Sequence, residues 1–414
     1  MKVFHISSGY FNGGAAIACA RLVEAQRSIG MDAQIITQES GSFPSYVKST
    51  SNNKIEKKLA LARLLTEKLR IKFIEKDSRK RFLFSLGNTG IRYSKLKEIE
   101  KADIIHLHWI NIGFLSLKTL KKIFSLNIPI VWTMHDIWAF TGGCNVSLQC
   151  ENFKNECGKC PYLKSPHSKD ISNKIFRKKR ELYHNKSITF IAPSNHHKNR
   201  AVQSKLLCDK NINVIPNTIN VNTLLEITQE KARIKYKLPL NKKLILFGAD
   251  KLHHTHKGMK YLLDALQYIN NEEIEVVTFG TSIDESTFKS LKINNIGYIK
   301  DLMQLYALYK TADVFVAPSL EDSFGQTLVE ASLMQVPLVA FNNTGISDII
   351  EHKKNGYLAE SKDIEDLANG IKWCLSNNAN GSIGIYGKEK TIKYLNYKNV
   401  ATAHKALYHK ILNN

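Results

Sequence analysis

Residues 312–331 read ADVFVAPSLEDSFGQTLVEA. An apolar run, Val314 to Ala317, closes at Pro318 and Ser319, and two acids follow at Glu321 and Asp322. A glycine stands at 325, and Val329 and Leu333 then fall four apart. This is the pattern of a buried strand, a polar loop and a helix that starts at Gly325 or Gln326, with its apolar positions turned inward. Acids are common at helix starts, which accounts for Asp322 without any ligand. Glu330, inside the helix, fits that explanation less well. A carboxylate there can accept two hydroxyls of a sugar, and the free amides of a helix start can meet phosphate or sugar oxygens.

The same strand–loop–helix unit recurs along the chain. Strand patterns stand at 3–7, 33–37, 103–108, 129–134 and 188–194, and again at 244–248, 274–280, 312–319 and 337–341. Helical patterns separate them: Met259, Leu262, Leu263 and Leu266 keep the i, i+3, i+4, i+7 rule. Strands alternating with helices predict parallel sheets. A chain of 414 residues is too long for one ordinary core. The expected architecture is therefore α/β, with two Rossmann-like doubly wound domains facing each other across a cleft. The first is expected over 1–215, with a cysteine-rich insert at about 141–163, and the second over 216–395. A helix over 396–414 is expected to return to the first domain. The seam is placed near Val214-Ile215-Pro216-Asn217-Thr218, and 224–237 reads as a connecting helix.

In such sheets ligands sit beyond the carboxyl ends of strands, and the polar residues of those loops become the candidates. After the first strand comes Gly9-Tyr10-Phe11-Asn12-Gly13-Gly14. Paired glycines there let a ligand approach the backbone at a helix start, although a plain tight turn has the same look. The loop lacks the G-x-G-x-x-G spacing of dinucleotide sites. His106 and His108 share one face of their strand, and one of them reads as a packed core residue. His135, followed by Asp136, falls at a strand's carboxyl end. Lys251 and Lys257 flank the start of a helix and suit a diphosphate.

Cys144, Cys150, Cys157 and Cys160 lie within 17 residues and end in a CxxC. Four thiolates at this spacing suit structural zinc; redox or disulfide pairs and free thiols also fit. Seven cysteines in so long a chain do not look like a disulfide framework.

The net charge of +22 is uneven. Residues 1–200 hold 34 Lys/Arg against 15 Asp/Glu, a balance of +19, and residues 201–414 hold 25 against 22, a balance of +3. Lys54–Arg81 carries 11 basic and 4 acidic residues, interleaved with Leu59, Leu65, Leu69 and Phe73. Lys164–Arg200 carries 10 and 2. Either these are solvated helix faces or they meet an anionic surface. Aromatic residues do not cluster with the basic ones as base stacking would require, so an anionic membrane is favoured over nucleic acid. No run approaches the length of a transmembrane helix, and the polar loop after residue 6 argues against a signal peptide. A cytoplasmic protein, peripheral on the inner face of the membrane, is expected.

FNGGAA, TMHD, GADKLHHTHKG, APSLEDSFGQTLVEA and PNTIN, taken together and in this order, resemble glycosyltransferase family 4, the retaining enzymes of the GT-B fold. FTGGCNVSLQC followed by GKCP resembles a bacterial subgroup of the exopolysaccharide, O-antigen and colanic-acid type. The resemblance implies transfer of a hexosyl unit from a UDP- or GDP-linked sugar to an oligosaccharide or lipid-linked acceptor, with no metal cofactor for catalysis. It places Lys251 and Lys257 on the donor diphosphate, with Gly13 and Gly14 on the phosphate and acceptor side. Glu330 would hold ribose hydroxyls. Asp322, Phe324, Gly325 and Gln326 would contact the donor, and His135 would lie beside the reacting sugar. Asp322 rather than Glu321 takes the first acidic position, because it stands eight before Glu330. Lys251 stands where the family has Arg, and Lys lacks the bidentate fork. Two rival readings are a nucleotide-sugar epimerase or hydrolase of the same fold, and a non-catalytic membrane- or nucleic-acid-binding protein.

Overall fold

The computed structural model describes residues 1–222, 226–252, 254–269, 273–281 and 293–413; at Phe82, Asp250 and Lys251 it describes the backbone alone. The chain divides into two compact units, Met1–Thr218 with Tyr397–Asn414, and Ile219–Asn396.

The first unit is built on seven strands: β1 (Lys2–Ile6), β2 (Asp32–Thr37), β3 (Val47–Ser49), β4 (Ile104–Leu107), β5 (Ile130–Thr133), β6 (Ile188–Ala192) and β7 (Asn211–Val214). All pair in parallel, in the order β3-β2-β1-β4-β5-β6-β7. Its helices are α1 (Gly14–Ser28), α2 (Lys54–Ile74), α3 (Leu117–Ile123), α4 (Ile171–Tyr183) and α5 (Asn195–Val202). Side chains alternate along each strand. Phe4, Ile6, Ile105, Leu107, Trp132 and Phe190 join one core, and Val3, Ile104, Val131 and Ile191 join another. Leu22 of α1 completes the second core together with Val400, Leu407 and Tyr408. Those three belong to the chain's last helix, Tyr397–Leu412, which packs on α1.

The second unit holds α6 (Gln229–Lys235), α7 (Met259–Leu266), α8 (Leu302–Lys310), α9 (Gln326–Leu333), α10 (Ile364–Asn377) and α11 (Ser382–Leu395), so the last helix is α12. Its sheet comprises β8 (Lys243–Lys251), β9 (Ile274–Thr281), β10 (Ile293–Asn295), β11 (Val314–Ala317), β12 (Leu338–Phe341) and β13 (Gly356–Ala359). These too are all parallel, in the order β10-β9-β8-β11-β12-β13. Leu328, Val329 and Leu333 of α9 pack with Leu246 and Phe315. Leu262 and Leu266 of α7 pack with Ile245, Val314 and Val316 on the other face.

All nine expected strands are present. The four that the sequence pattern does not reveal are β3, β7, β10 and β13, the outer strands of the two sheets. They are three or four residues long. Short outer strands, flanked on one side only, carry a weak apolar signal. β8 runs to Lys251, past the expected residue 248, through a bulge between Gly248 and Lys251. The division between units falls after Thr218 rather than after residue 215. The expected helix over 224–237 is shorter, Gln229–Lys235, and residues 223–225 lie outside the described ones.

In each sheet the chain reverses its direction of travel once, between β1 and β4 and between β8 and β11. These are the switch points at which doubly wound sheets bind ligands.

Candidate active site

At the β8/β11 switch point the loop after β8 and the loop after β11 are tied together. Gly258 makes the approach possible. Its φ is +80°, and a Cβ there would lie 1.8 Å from the Pro318 carbonyl oxygen. The Leu320 amide donates to the His256 carbonyl at 2.8 Å. This seats Lys257 so that its ammonium lies 2.9 Å from Asp322 Oδ2. Asp322 Oδ1 accepts the backbone N–H groups of Phe324 at 3.1 Å and Gly325 at 2.9 Å. Burial works to raise the Asp322 pKa, but Lys257 and these two amides overcome it and hold the carboxyl below its usual range.

Gly325 starts α9 at φ +92°, a left-handed conformation, and a Cβ would press on Ile346 at 2.9 Å. The helix therefore begins at Gln326. The amide O and N of Gln326 are both buried and find no partner among the described residues, an arrangement that proteins rarely leave without a ligand or water. Phe324 is buried, and so is Glu330, one turn into α9, where it accepts the Tyr309 hydroxyl at 3.2 Å. Tyr309, in α8, is a partner that the spacing around 330 does not signal. Lys251 closes β8, and its side chain lies outside the described residues.

At the β1/β4 switch point Gly13 caps α1 with φ +90°, and a Cβ at Gly13 or Gly14 would meet nothing within 4 Å. The backbone beside this helix start is open. The loop itself is held by Glu39, which follows β2. Its carboxylate accepts the Tyr10 amide at 2.7 Å, the Phe11 amide at 3.2 Å and the Asn12 side-chain amide at 2.8 Å. Glu39 is a site residue that sequence reading missed, since nothing near residue 39 marks it.

His135 lies two residues beyond β5, partly exposed, with Nε2 2.9 Å from His108 Nδ1. The oxygens of Asp136 accept the Trp109 indole N–H at 2.7 Å and the Trp138 amide at 2.8 Å. Of His106 and His108, one of which reads from the sequence as a packed core residue, both are buried. Burial lowers the His135 pKa to about 4.

Cys144, Cys150, Cys157 and Cys160 line one small cavity of about 20 Å³, and no disulfide joins any of the seven cysteines. The Gly142 amide donates to Cys157 Sγ at 3.2 Å. Among the described residues, His5, Cys19 and His108 form a group of three whose ligand atoms all lie within 4.8 Å of one another.

No helix among the described residues is long and apolar enough to cross a membrane. α2 instead lies on the surface with Ile55, Leu59, Leu65, Leu69 and Phe73 each at least half exposed. At 100° per residue these five fall within one stripe about 120° wide.

The model of the family described as "Glycosyltransferase Family 4" matches residues 12–223, and that of "Glycosyl transferases group 1" matches residues 228–390. The putative colanic acid biosynthesis glycosyl transferase WcaC of Escherichia coli K12 is 24% identical over 342 residues, 78% of this chain and 76% of that one. Sucrose-phosphate synthase of Thermosynechococcus elongatus superposes with a TM-score of 0.71 at 17% identity, covering 100% of this chain and 99% of that one. HepE of Anabaena, solved with UDP-glucose, superposes with a TM-score of 0.66 at 16% identity, over 99% of this chain and 100% of that one. The fold is GT-B.

Proposed function

We infer the activity from one premise: the chain belongs to glycosyltransferase family 4. We propose that it transfers a hexosyl unit, with retention of anomeric configuration, from a UDP- or GDP-linked sugar to a saccharide acceptor. The acceptor is lipid-linked and the product is a surface polysaccharide; the similarity to WcaC and the solved relative with UDP-glucose support this reading. The observation that carries it is the Lys257–Asp322 pair at the β8/β11 switch point, beside the orphaned amide of Gln326.

In this reading the second unit takes the donor. Lys257 and Lys251 bind the diphosphate, Glu330 holds ribose hydroxyls, and Asp322, Phe324, Gly325 and Gln326 hold the sugar. As the bond from the anomeric carbon to the phosphate oxygen breaks, negative charge grows on the leaving diphosphate. A fixed ammonium and the free amides of the α9 start stabilise it. The leaving phosphate oxygen takes the proton of the incoming hydroxyl. In the first unit Gly13 and Gly14 take the phosphate and acceptor side, and His135 lies beside the reacting sugar.

The α2 stripe supports membrane association. Lys57, Lys58, Lys68, Arg70 and Lys72 share the helix with it, the pattern of a helix lying in an anionic interface. The protein is thus peripheral on the cytoplasmic face.

We also assign structural zinc to Cys144, Cys150, Cys157 and Cys160. The cavity they line has room for one small particle. Lys179 is wholly buried, donates to the Trp138 and Thr141 carbonyls, and its charge reaches Cys144 and Cys157. Burial lowers the Lys179 pKa to about 7, and the negative charge that four thiolates leave around Zn²⁺ would favour its charged form.

A thermal-shift screen with UDP- and GDP-sugars, followed by turnover with and without saccharide acceptor, tests the function. Stabilisation by one nucleotide sugar and transfer only with acceptor are expected. Free sugar released at the same rate without acceptor would make the protein a hydrolase.

A further inference from the structure

A groove of about 510 Å³ opens at the β3 edge of the first sheet. That size falls among ligand clefts, roughly 300–1,000 Å³, and far above a packing defect. Ile36 of β2, Val47 of β3 and Phe43 of the loop between them give it an apolar side. Four charged side chains also line it, and they stand in two ion pairs: Lys48 with Glu98, and Lys95 with Glu56 at 2.5 Å. Lys48 belongs to β3, Glu56 to the first turn of α2, and Lys95 and Glu98 to a 3₁₀ helix, Tyr93–Lys101. The pairs thus bind three separate segments around one opening.

The groove is joined to the loop that follows β1. Phe43 packs against Tyr10 and Phe11, with ring centroids 5.4 Å and 5.9 Å apart, and Phe11 is half exposed. Glu39 holds the amides of the same two residues. The Gly13–Gly14 turn and the groove therefore rest on one support, beyond the carboxyl ends of neighbouring strands, where such sheets take ligands.

The lining selects a chemical class. Two ammonium groups and two carboxylates leave the groove without net charge. A phosphate or an acidic sugar would meet each ammonium only beside a carboxylate. An alkyl chain would strip water from four charges. A hydroxyl both donates and accepts, so two neighbouring hydroxyls of a sugar can bridge the carboxylate and the ammonium of one pair. Phe43 and Ile36 offer apolar area to the C–H face of the same ring.

We propose that this groove is an acceptor subsite: it holds a neutral sugar ring of an oligosaccharide whose reacting end lies at the Gly13–Gly14 turn, with Lys48, Glu98, Lys95 and Glu56 on its hydroxyls and Phe43 under its ring. This rests on the reading that the chain transfers sugar to a saccharide acceptor. It narrows that acceptor to a chain of more than one ring, uncharged at the ring in the groove.

A printed array of neutral and acidic saccharides, from single sugars to hexasaccharides, probed with the labelled full chain, tests this. The wild type is expected to bind neutral oligosaccharides and to hold them more tightly than single sugars. Phe43→Ala, and Lys48→Ala combined with Glu98→Ala, should each weaken that binding on the order of 10-fold, as loss of hydrogen bonds to charged groups does. Thermal shifts with UDP- and GDP-sugars should be unchanged in both. The double variant removes an exposed pair that adds little to stability and keeps the groove neutral, so it serves if Phe43→Ala, which also loses its packing on Tyr10, does not fold. Binding of acidic saccharides alone, no oligosaccharide binding by the wild type, or equal binding by wild type and double variant overturns the subsite. Groove-dependent oligosaccharide binding by a protein that transfers no sugar would overturn the transferase reading and leave the subsite standing.

Discussion

The ammonium of Lys257 sits 2.9 Å from the carboxylate of Asp322, 65 residues away in sequence. One was expected on the diphosphate and the other on the sugar. Their pairing means that each is held in place by the other. If Lys257 takes the diphosphate as proposed, the donor would compete with Asp322 for the ammonium, and the displaced carboxylate would become available to sugar hydroxyls. On the proposed reading, donor capture by this pair would be an exchange of partners, which would lower the cost of keeping a lysine and an acid partly buried.

Replacing Lys257 by alanine should lower turnover on the order of 100-fold, as removal of one charge-stabilising group does. The unfolding midpoint should move little, because the side chain is about a third exposed. Steady-state kinetics and a thermal melt measure both. Wild-type turnover would take Lys257 off the diphosphate.

Gly258→Ala should weaken donor binding although Lys257 is intact. The new Cβ would collide with the Pro318 carbonyl at 1.8 Å in a left-handed backbone. The cost is about 1–3 kcal/mol of stability, with Lys257 displaced from Asp322. Nucleotide-sugar titration of the folded variant checks this; unchanged affinity would show that the loop position does not set the site.

Acid should unfold the first unit early. Burial lowers His135 and His404 to about 4 and His5 to about 3, and depresses His106 and His108 as well. The unfolded chain takes up these protons near pH 6.5 and the folded chain does not. The stability held above that pH is therefore lost as pH falls from about 6.5 toward 4. Urea midpoints between pH 8 and pH 4 should fall across this window, and a flat profile would contradict it.

Leu65→Glu with Leu69→Glu should reduce binding to anionic vesicles by about 10-fold or more, since two apolar side chains leave the interface and two acids enter it. Vesicle sedimentation at low and high salt reads the effect. Equal binding by the double variant would return α2 to the status of a solvated surface helix.

Purified protein should carry about one zinc per chain, removed by Cys157→Ser with a fall in melting temperature. Metal analysis beside a thermal melt decides the matter. A metal-free wild type of equal stability would make the four cysteines ordinary thiols.

The parallel sheets were legible because their central strands are continuous apolar runs, and the loops at their carboxyl ends could be named from that alone. His135, Lys257 and Glu330 were named from position in such a pattern, and Asp322 from its register eight before Glu330 in the family resemblance. Glu39 and Tyr309 could not be. Each acts through a partner distant in sequence, and an isolated Glu or Tyr carries no local signature of its partner. The outer strands escaped for a different reason: they are too short to make a periodic signal.

Sequence by itself determined the alternation of strand and helix, the excess of basic charge in the first half, and which residue types stand where ligands bind. Those are local properties, set by side-chain period and composition. Tertiary structure decided which of these residues meet. It brought Gly258 against Pro318 so that Lys257 pairs with Asp322, and it laid Tyr408 of the last helix over Gln26 of the first. It also left the apolar stripe of α2 facing solvent. Such pairings depend on which faces the sheets need covered, and that is fixed only when the whole core closes.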